Sequence, residues 1–285
     1  MNPVWLYALL GVAAGALLAW LGGRLTLLTR SGQVATWLVV VAIFAAGGWV
    51  WGALIVLCMA AGGLAMGFRR PYKAYLTGRY GAQAAQNWLQ VTARFGWPAI
   101  LAMLSIAAPR ADYLIPLVGA LATAGADIWA TELGMLYRKD PLLITTRRPA
   151  PHGTPGAISL MGVTAALGAT WLLGFVGLVL ASLDRWQAQN GIERDLLWLP
   201  LAAMLGGMVG NLTDSLLGAT AQAVYHCEIC DRYTDQPVHT CGRPTNQVRG
   251  WPWMTNDMVD MVSVVVGAAV TTGVAILLAQ SRWTW

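Results

Sequence analysis

The chain has 285 residues, 57% of them hydrophobic and only 11% charged, with a mean hydropathy of +0.56, against about 25% charged residues in a soluble domain. This excludes a soluble globular enzyme and a disordered chain, and describes a polytopic membrane protein. The 18 Lys and Arg against 13 Asp and Glu report membrane orientation and contact with anionic head groups, so no nucleic-acid partner is expected.

A hydrocarbon core about 30 Å thick takes roughly 20 apolar residues per helix. Apolar runs place spans over 4–23, 34–47, 49–67, 88–108, 113–134, 157–181, 196–224 and 258–280. The expected fold is all-α, with about eight transmembrane helices in a single transmembrane domain over 1–285. No internal repeat is evident, and the N-terminus lacks the basic start of a cleaved signal peptide. Gly47-Gly48-Trp49 reads as a tight hairpin turn or as a kink inside one long helix.

With eight spans the loops alternate in charge. Arg24, Arg30, Arg69, Arg70, Lys73, Arg79, Arg138, Lys139, Arg147, Arg148, Arg232, Arg243 and Arg249 fall on one side, and Arg110, Arg185, Arg194 and Arg282 on the other. The richer side is therefore cytoplasmic and both termini face away from it. Fusing the second and third spans would destroy this alternation, which favours the turn. Trp and Tyr elsewhere fit interfacial belts.

Ionisable groups inside apolar runs are costly and mark function. Here they are Arg94, Asp127, Glu132 and Asp214, with Asp257 and Asp260 at the mouth of the last span. All lie in the cytoplasmic halves of their spans. At about 100° per residue, Asn87, Gln90 and Arg94 line one face of the fourth span. Asn211, Asp214, Ser215, Gly218 and Gln222 line one of the seventh, and Asn256, Asp260, Ser263 and Gly267 one of the eighth. Asp127 and Thr131 share a face of the fifth span. Glu132 lies about 140° from Asp127, so both meet one site only if the helix unwinds or Glu132 serves a neighbouring helix. Helix-gluing polar pairs are the plain alternative; four stripes converging on one leaflet point to a functional site.

The basic loop 145–162 contains Arg147, Arg148, His152, Gly153, Thr154, Gly156 and Ser159 ahead of a helix. Glycines let backbone approach a ligand closely, free helix N–H groups favour an anion, and arginines suit bidentate phosphate contact. With acids nearby, this describes a metal–phosphate site, the acids holding Mg²⁺ and the arginines neutralising developing charge. A topology-setting basic loop is the alternative. The polar insert 225–257 carries Cys227-Glu-Ile-Cys230, then His239-Thr-Cys241 after eight intervening residues. That spacing of soft ligands is knuckle-like and suits a structural Zn²⁺ with no open position. His226 is a sterically awkward substitute, and reduced structural cysteines are the alternative. Cys58, in an apolar run, is expected to be inert.

Four segments resemble one family in order and type. Ala126-Asp127-Ile128-Trp129-Ala130-Thr131-Glu132-Leu133-Gly134 is similar to its "ADTWASEIG" element, and His152-Gly153-Thr154-Pro155-Gly156-Ala157-Ile158-Ser159-Leu160-Met161-Gly162 to its "GTxGGVSxxG" loop. Asp214-Ser215-Leu216-Leu217-Gly218-Ala219-Thr220-Ala221-Gln222 resembles "DSLLGATLQ", and Met254-Thr255-Asn256-Asp257-Met258-Val259-Asp260 resembles "LxNNxVN". The family was first catalogued as domain of unknown function 92 and includes plant and cyanobacterial phytyl-phosphate kinases. The sequence departs from its pattern where Arg94, Asp257 and Asp260 stand in place of Asn.

The resemblance implies a membrane-embedded kinase that transfers a phosphoryl group from CTP or another nucleotide to an isoprenoid monophosphate, giving the diphosphate. A phosphate monoester, with a second pKa near about 6, is already an anionic nucleophile and needs positioning, metal and positive charge more than a base. The expected catalytic residues are Asp127, Glu132, Asp214 and Arg148, with Mg²⁺ on Asp127 and Asp214. Gln90, Arg94, Thr131, Arg147, Gly153, Thr154, Gly156, Ser159, Asn211, Ser215, Gln222, Asn256, Asp257 and Asp260 are expected to bind substrate or nucleotide. Cys227, Cys230, His239 and Cys241 are expected to hold Zn²⁺. The active site faces the cytoplasm, and a homodimer is compatible with the reading. Competing readings are a lipid cytidylyltransferase, a prenol kinase using Asp127 as base, and an ion-coupled transporter.

Overall fold

A computed structural model describes residues 4–76, 85–109, 112–188, 194–239 and 241–280. Arg79, Arg110 and Arg282, used above to read orientation, lie outside these residues. Seven described helices are long and apolar enough to cross a membrane: α1 (Val4–Arg24), α2 (Arg30–Gly67), α4 (Trp88–Ala107), α5 (Leu114–Gly134), α6 (Leu160–Gln187), α7 (Leu199–Thr220) and α8 (Asn256–Gln280). The short helix α3 (Arg70–Leu76) follows α2.

The 38-residue α2 is not one rod. Gly48 has φ 73° and ψ −164°, a left-handed backbone value that glycine adopts without penalty. Two sets of contacts show that the chain turns back there. Thr29 caps the start of α2, its Oγ1 accepting from Gly32 N at 3.2 Å. Arg70, just beyond the other end, donates through Nη1 to Thr26 O at 3.1 Å and Thr26 Oγ1 at 2.7 Å. Both ends of α2 are therefore on one side. On the other side Trp49 Nε1, next to the turn, donates to Asp184 Oδ1 at 2.6 Å near the far end of α6. The two arms make separate passes, so the described residues supply eight passes through the bundle, in keeping with the charge alternation. Glycine lets the arms close: a Cβ at Gly52 would collide with the Phe44 ring, and one at Gly11 of α1 would sit 2.7 Å from Phe44 Cβ.

Helix α5 runs through the centre, and Leu117, Val118, Ala120, Leu121, Ala122, Ala124 and Ala126 are all buried. Helices α2, α4, α6, α7 and α8 surround it. Among apolar lipid tails the drive to associate comes from close packing, so small residues line such contacts. Gly210 of α7 and Gly267 of α8 both press on Thr123 of α5, while Gly119 of α5 and Gly206 of α7 press on Thr271 of α8. Large apolar side chains such as Trp5, Leu9, Leu17 and Trp20 point outward from α1, where lipid takes the place of a core.

The loops richest in Arg and Lys among the described residues lie at one end of this bundle, opposite Asp184 and Arg185. Thr29 N donates to Gln86 O at 2.9 Å and Gln86 N to Leu27 O at 2.8 Å, joining the loops before α2 and α4. After α5, a two-residue pairing of β1 (Leu142–Leu143) with β2 (Ala157–Ile158) shapes the basic loop. After α7, the insert adds a sheet of order β4-β3-β5, from β3 (Val224–Cys227), β4 (Arg232–Thr234) and β5 (Asn246–Arg249).

Candidate functional site

Four helices deliver charge to one point at that end. Asn87 opens α4 with a capping box: its Oδ1 accepts from Leu89 N at 2.9 Å and Gln90 N at 3.2 Å, and Gln90 Oε1 accepts from Asn87 N at 3.0 Å. Such a reciprocal cap fixes where the helix begins and so where Arg94 lies. Arg94 Nη2 stands 3.0 Å from Asp127 Oδ2 of α5, and its Nε 3.1 Å from Asp260 Oδ2 of α8. Asp214 of α7 completes the group. One oxygen from each of Asp127, Asp214 and Asp260 lies within 4.8 Å of the other two. Oxygens bound about 2.0–2.6 Å from one divalent ion lie roughly 3–5 Å apart, so the three carboxylates fit a metal with little movement. A lone guanidinium leaves their negative charge in excess.

A polar chain leads away from the cluster. Asn256 Nδ2 donates to Asp260 Oδ2 at 3.4 Å, and Gln222 Nε2 to Asn256 Oδ1 at 3.2 Å. Ser263 Oγ is 3.5 Å from Asp214 Oδ1, although its shorter bond runs to Val259 O at 2.7 Å. Asn211 is buried one turn before Asp214 and Thr131 follows Asp127 by one turn; Ser215 and Asp257 are half-buried. The stripes read on α7 and α8 thus face each other, and that on α4 divides: Gln90 caps the helix and Arg94 enters the cluster.

Glu132 does not join the three aspartates. It forms a buried ion pair with Lys73 of α3, and Lys73 Nζ also donates to Ala65 O at 2.8 Å and Met66 O at 2.9 Å. Of the two ways to place Glu132, service to a neighbouring helix is the one adopted. Lys73 was visible in the sequence only as one charge in a basic run. Its signal was position: a lone lysine between Tyr72 and Tyr75, at the boundary where a long stem can bury its amine.

The basic loop sits against the end of α7. Gly153 (φ 86°) and Gly156 (φ 79°) take left-handed conformations, and a Cβ on Gly156 would overlap Ala219. Thr154 Oγ1 donates within the loop to Pro151 O at 2.7 Å. Ser159 caps α6, accepting from Gly162 N at 3.1 Å and donating to Gly134 O at 3.2 Å, which ties α6 to the end of α5. Arg147 and Arg148 are exposed, while Arg94 supplies the cation at the carboxylates. A further arginine is structural: Arg249 Nη2 donates to Gly218 O at 2.7 Å and Pro155 O at 3.4 Å, bridging β5, α7 and the loop.

The second cluster lies in the insert. One ligand atom from each of Cys227, Cys230, His239 and Cys241 falls within 4.8 Å of the others. Cys227 Sγ and Cys241 Sγ are 3.8 Å apart, and His239 Nδ1 is 3.1 Å from Cys241 Sγ. The hydrogen bond with Cys241 pushes the Cys230 thiol up to about 11, while that with His239 brings Cys241 down to about 6. His226 is turned to Asp231 Oδ1 at 3.1 Å and to the Tyr233 ring, outside the group.

Comparison with known proteins adds to this geometry. The family model described as integral membrane protein DUF92 matches residues 13–268. Protein PGR of Arabidopsis thaliana is 26% identical over 275 residues, 92% of this chain and 93% of that protein. Protein VTE6, chloroplastic, of Arabidopsis thaliana is 27% identical over 163 residues, 57% of this chain and 37% of that protein. The uncharacterized membrane protein sll0875 of Synechocystis is 27% identical over 157 residues, 55% of this chain and 46% of that protein. No solved structure matches.

Proposed function

The chain belongs to the integral membrane protein family DUF92, and from that premise we propose that it is a phosphotransferase converting an isoprenoid monophosphate to the diphosphate, with CTP or another nucleoside triphosphate as donor. The observation that carries this reading is the meeting of Asp127, Asp214 and Asp260 within 4.8 Å, with Arg94 paired to two of them. An acid cluster with a fixed cation at the polar end of a membrane bundle suits a phosphate-bearing head group whose tail stays in lipid. It suits a proton-coupled transporter less, because such sites lie near the midplane. The resemblance of the four motifs to phytyl-phosphate kinases supports the substrate class.

In this reading a terminal oxygen of the lipid phosphate attacks the γ-phosphorus of the nucleotide. The new P–O bond forms as the bridging bond to the nucleoside diphosphate breaks, and the diphosphate leaves carrying the negative charge. Asp127, Asp214 and Asp260 would hold Mg²⁺, which when bound neutralises phosphate charge. Arg94 fixes the carboxylates in place. Arg147, Arg148, Gly153, Thr154, Gly156 and Ser159 would receive phosphates at the loop, and Asn211, Ser215, Gln222, Asn256 and Asp257 orient nucleotide or acceptor. Glu132 acts through its pairing with Lys73 to hold the end of α5. The cysteine–histidine group is read as a structural Zn²⁺ site without catalytic work. The excess of Lys and Arg on this side supports a cytoplasmic active site.

Purified protein in vesicles, given prenyl monophosphate, Mg²⁺ and CTP labelled at either the α or the γ phosphate, tests the proposal. The γ label should appear in lipid diphosphate. The α label in lipid would establish a cytidylyltransferase instead, and no label in lipid would refute both.

A further inference from the structure

The insert has too little core to hold its own shape. Strands of four, three and four residues make its sheet, β5 is exposed at three of four positions, and Ile229, Val238 and Val248 point to solvent. A sheet of this size needs an apolar face or a packed helix to be stable. Yet it makes ordered contact with the bundle. β3 leaves α7 directly and ends at Cys227, and β5 pairs with β3 and ends at Arg249. Arg249 grips Gly218 O and Pro155 O, Trp251 N donates to Ala221 O at 2.9 Å, and Ala223 N to Met254 O at 2.8 Å. Gly250 (φ 79°) lies flush on Gln222 O. A shape fixed at the bundle and coreless at its far end calls for a fastener there.

We infer that the insert is a zinc-fastened clamp: Zn²⁺ bound by Cys227, Cys230, His239 and Cys241 holds the β3–β5 pair, and Arg249 at its tip sets the end of α7 and the loop 145–159 in the positions that phosphoryl transfer requires. Arg249 is a positioning residue, and the clamp rests on the phosphotransferase reading. Three sulfurs and one nitrogen are a complete tetrahedral zinc set, and two sulfurs bound at about 2.3 Å stand about 3.8 Å apart, the separation found between Cys227 and Cys241. Small metal modules of this kind fold only with the metal in place. The transmitted span is short: Gly218, which Arg249 holds, follows Asp214 by one helical turn, and Gly156 packs on the adjacent Ala219.

The test uses full-length protein in vesicles, comparing wild type with Cys230→Ser, Arg249→Gln and Arg249→Lys by metal analysis, hydrogen exchange and turnover. Wild type should hold close to one zinc per chain. Cys230→Ser should lose it; Arg249→Gln should keep it. Exchange at 145–159 and 216–223 should rise in both, a readout that needs no activity. Turnover should fall roughly tenfold or more in both, through kcat with KM for the nucleotide little changed, and Arg249→Lys should recover part of it. Zinc-free wild type, unchanged exchange in either variant, or full turnover in Arg249→Gln would overturn the clamp. If zinc and exchange behave as stated while wild type makes no lipid diphosphate, the phosphotransferase reading fails and the clamp's structural half stands.

Discussion

Arg94→Gln is the sharpest probe of the carboxylate cluster, because its outcome depends on divalent metal. At an effective dielectric near 20, a charge pair 3.0 Å apart gains about 5–6 kcal/mol, and two like charges 4.8 Å apart lose about 3.5 kcal/mol. The two ion pairs of Arg94, at 3.0 and 3.1 Å, therefore offset much of the mutual repulsion of Asp127, Asp214 and Asp260, whose oxygens lie no more than 4.8 Å apart. Glutamine keeps the length and removes the charge, leaving the repulsion unopposed; breaking a buried pair from one side costs about 3–5 kcal/mol. In a chain of this size that lowers the melting temperature by on the order of 10 °C. Magnesium supplies the lost charge, so it should raise the melting temperature of Arg94→Gln more than that of wild type. Thermal unfolding of purified protein in detergent, with EDTA or with millimolar Mg²⁺, measures both. If the variant melts with wild type in EDTA and Mg²⁺ shifts the two equally, Arg94 does not compensate the acids and the electrostatic account is wrong.

Asp127→Asn and Asp214→Asn should insert and fold yet lose roughly three orders of magnitude in lipid diphosphate formation, since each removes a metal-holding charge; near-normal turnover of both would move the site elsewhere. Lys73→Met should destabilise by about 3–5 kcal/mol by stranding Glu132, and Lys73→Met with Glu132→Gln should regain part of that loss in a double-mutant cycle; strictly additive effects would mean the pair is uncoupled. Gly210→Leu should push α7 away from Thr123 and lower stability by about 1–3 kcal/mol, and a melting temperature equal to wild type would show that the contact is looser than described. Cysteines placed at Thr146 and at Ala188 should react with an impermeant thiol reagent from opposite faces of sealed vesicles, read by peptide mapping; reaction from one face would break the eight-pass topology.

Eight crossings were legible because lipid allows little ambiguity: long apolar runs must be helices, and the alternation of Arg and Lys separates the two arms of α2 that hydropathy alone would merge. The stripes containing Asp214 and Asp260 were legible for the same geometric reason, since helical pitch fixes which residues share a face. Helical pitch cannot say which helix a face meets. Glu132 and Asp127 share a motif and part company in space, because five residues of helix rotate them to opposite neighbours. Lys73 and Arg249 escaped notice as members of basic loops, whose charge is ordinarily explained by orientation. Asp260, assigned to ligand binding, stands as a third member of the metal-capable group; one helix face gives direction but no distance. The cysteine–histidine spacing predicts a gathered ligand set, and the four side chains do fall within 4.8 Å of one another.

That Arg94, Asp127, Asp214 and Asp260 come from α4, α5, α7 and α8 has a consequence for synthesis. The cation enters the bilayer first, on α4, and has no carboxylate partner until α5 emerges behind it. The third acid, Asp260, arrives only with α8. Each polar span is expensive to leave alone in lipid, so α4 is expected to wait at the insertion machinery or on its neighbour α2 until its counter-charges arrive. A chain cut short before α8 would present two acids and an arginine without the third corner, so the centre exists only once α8 has been made.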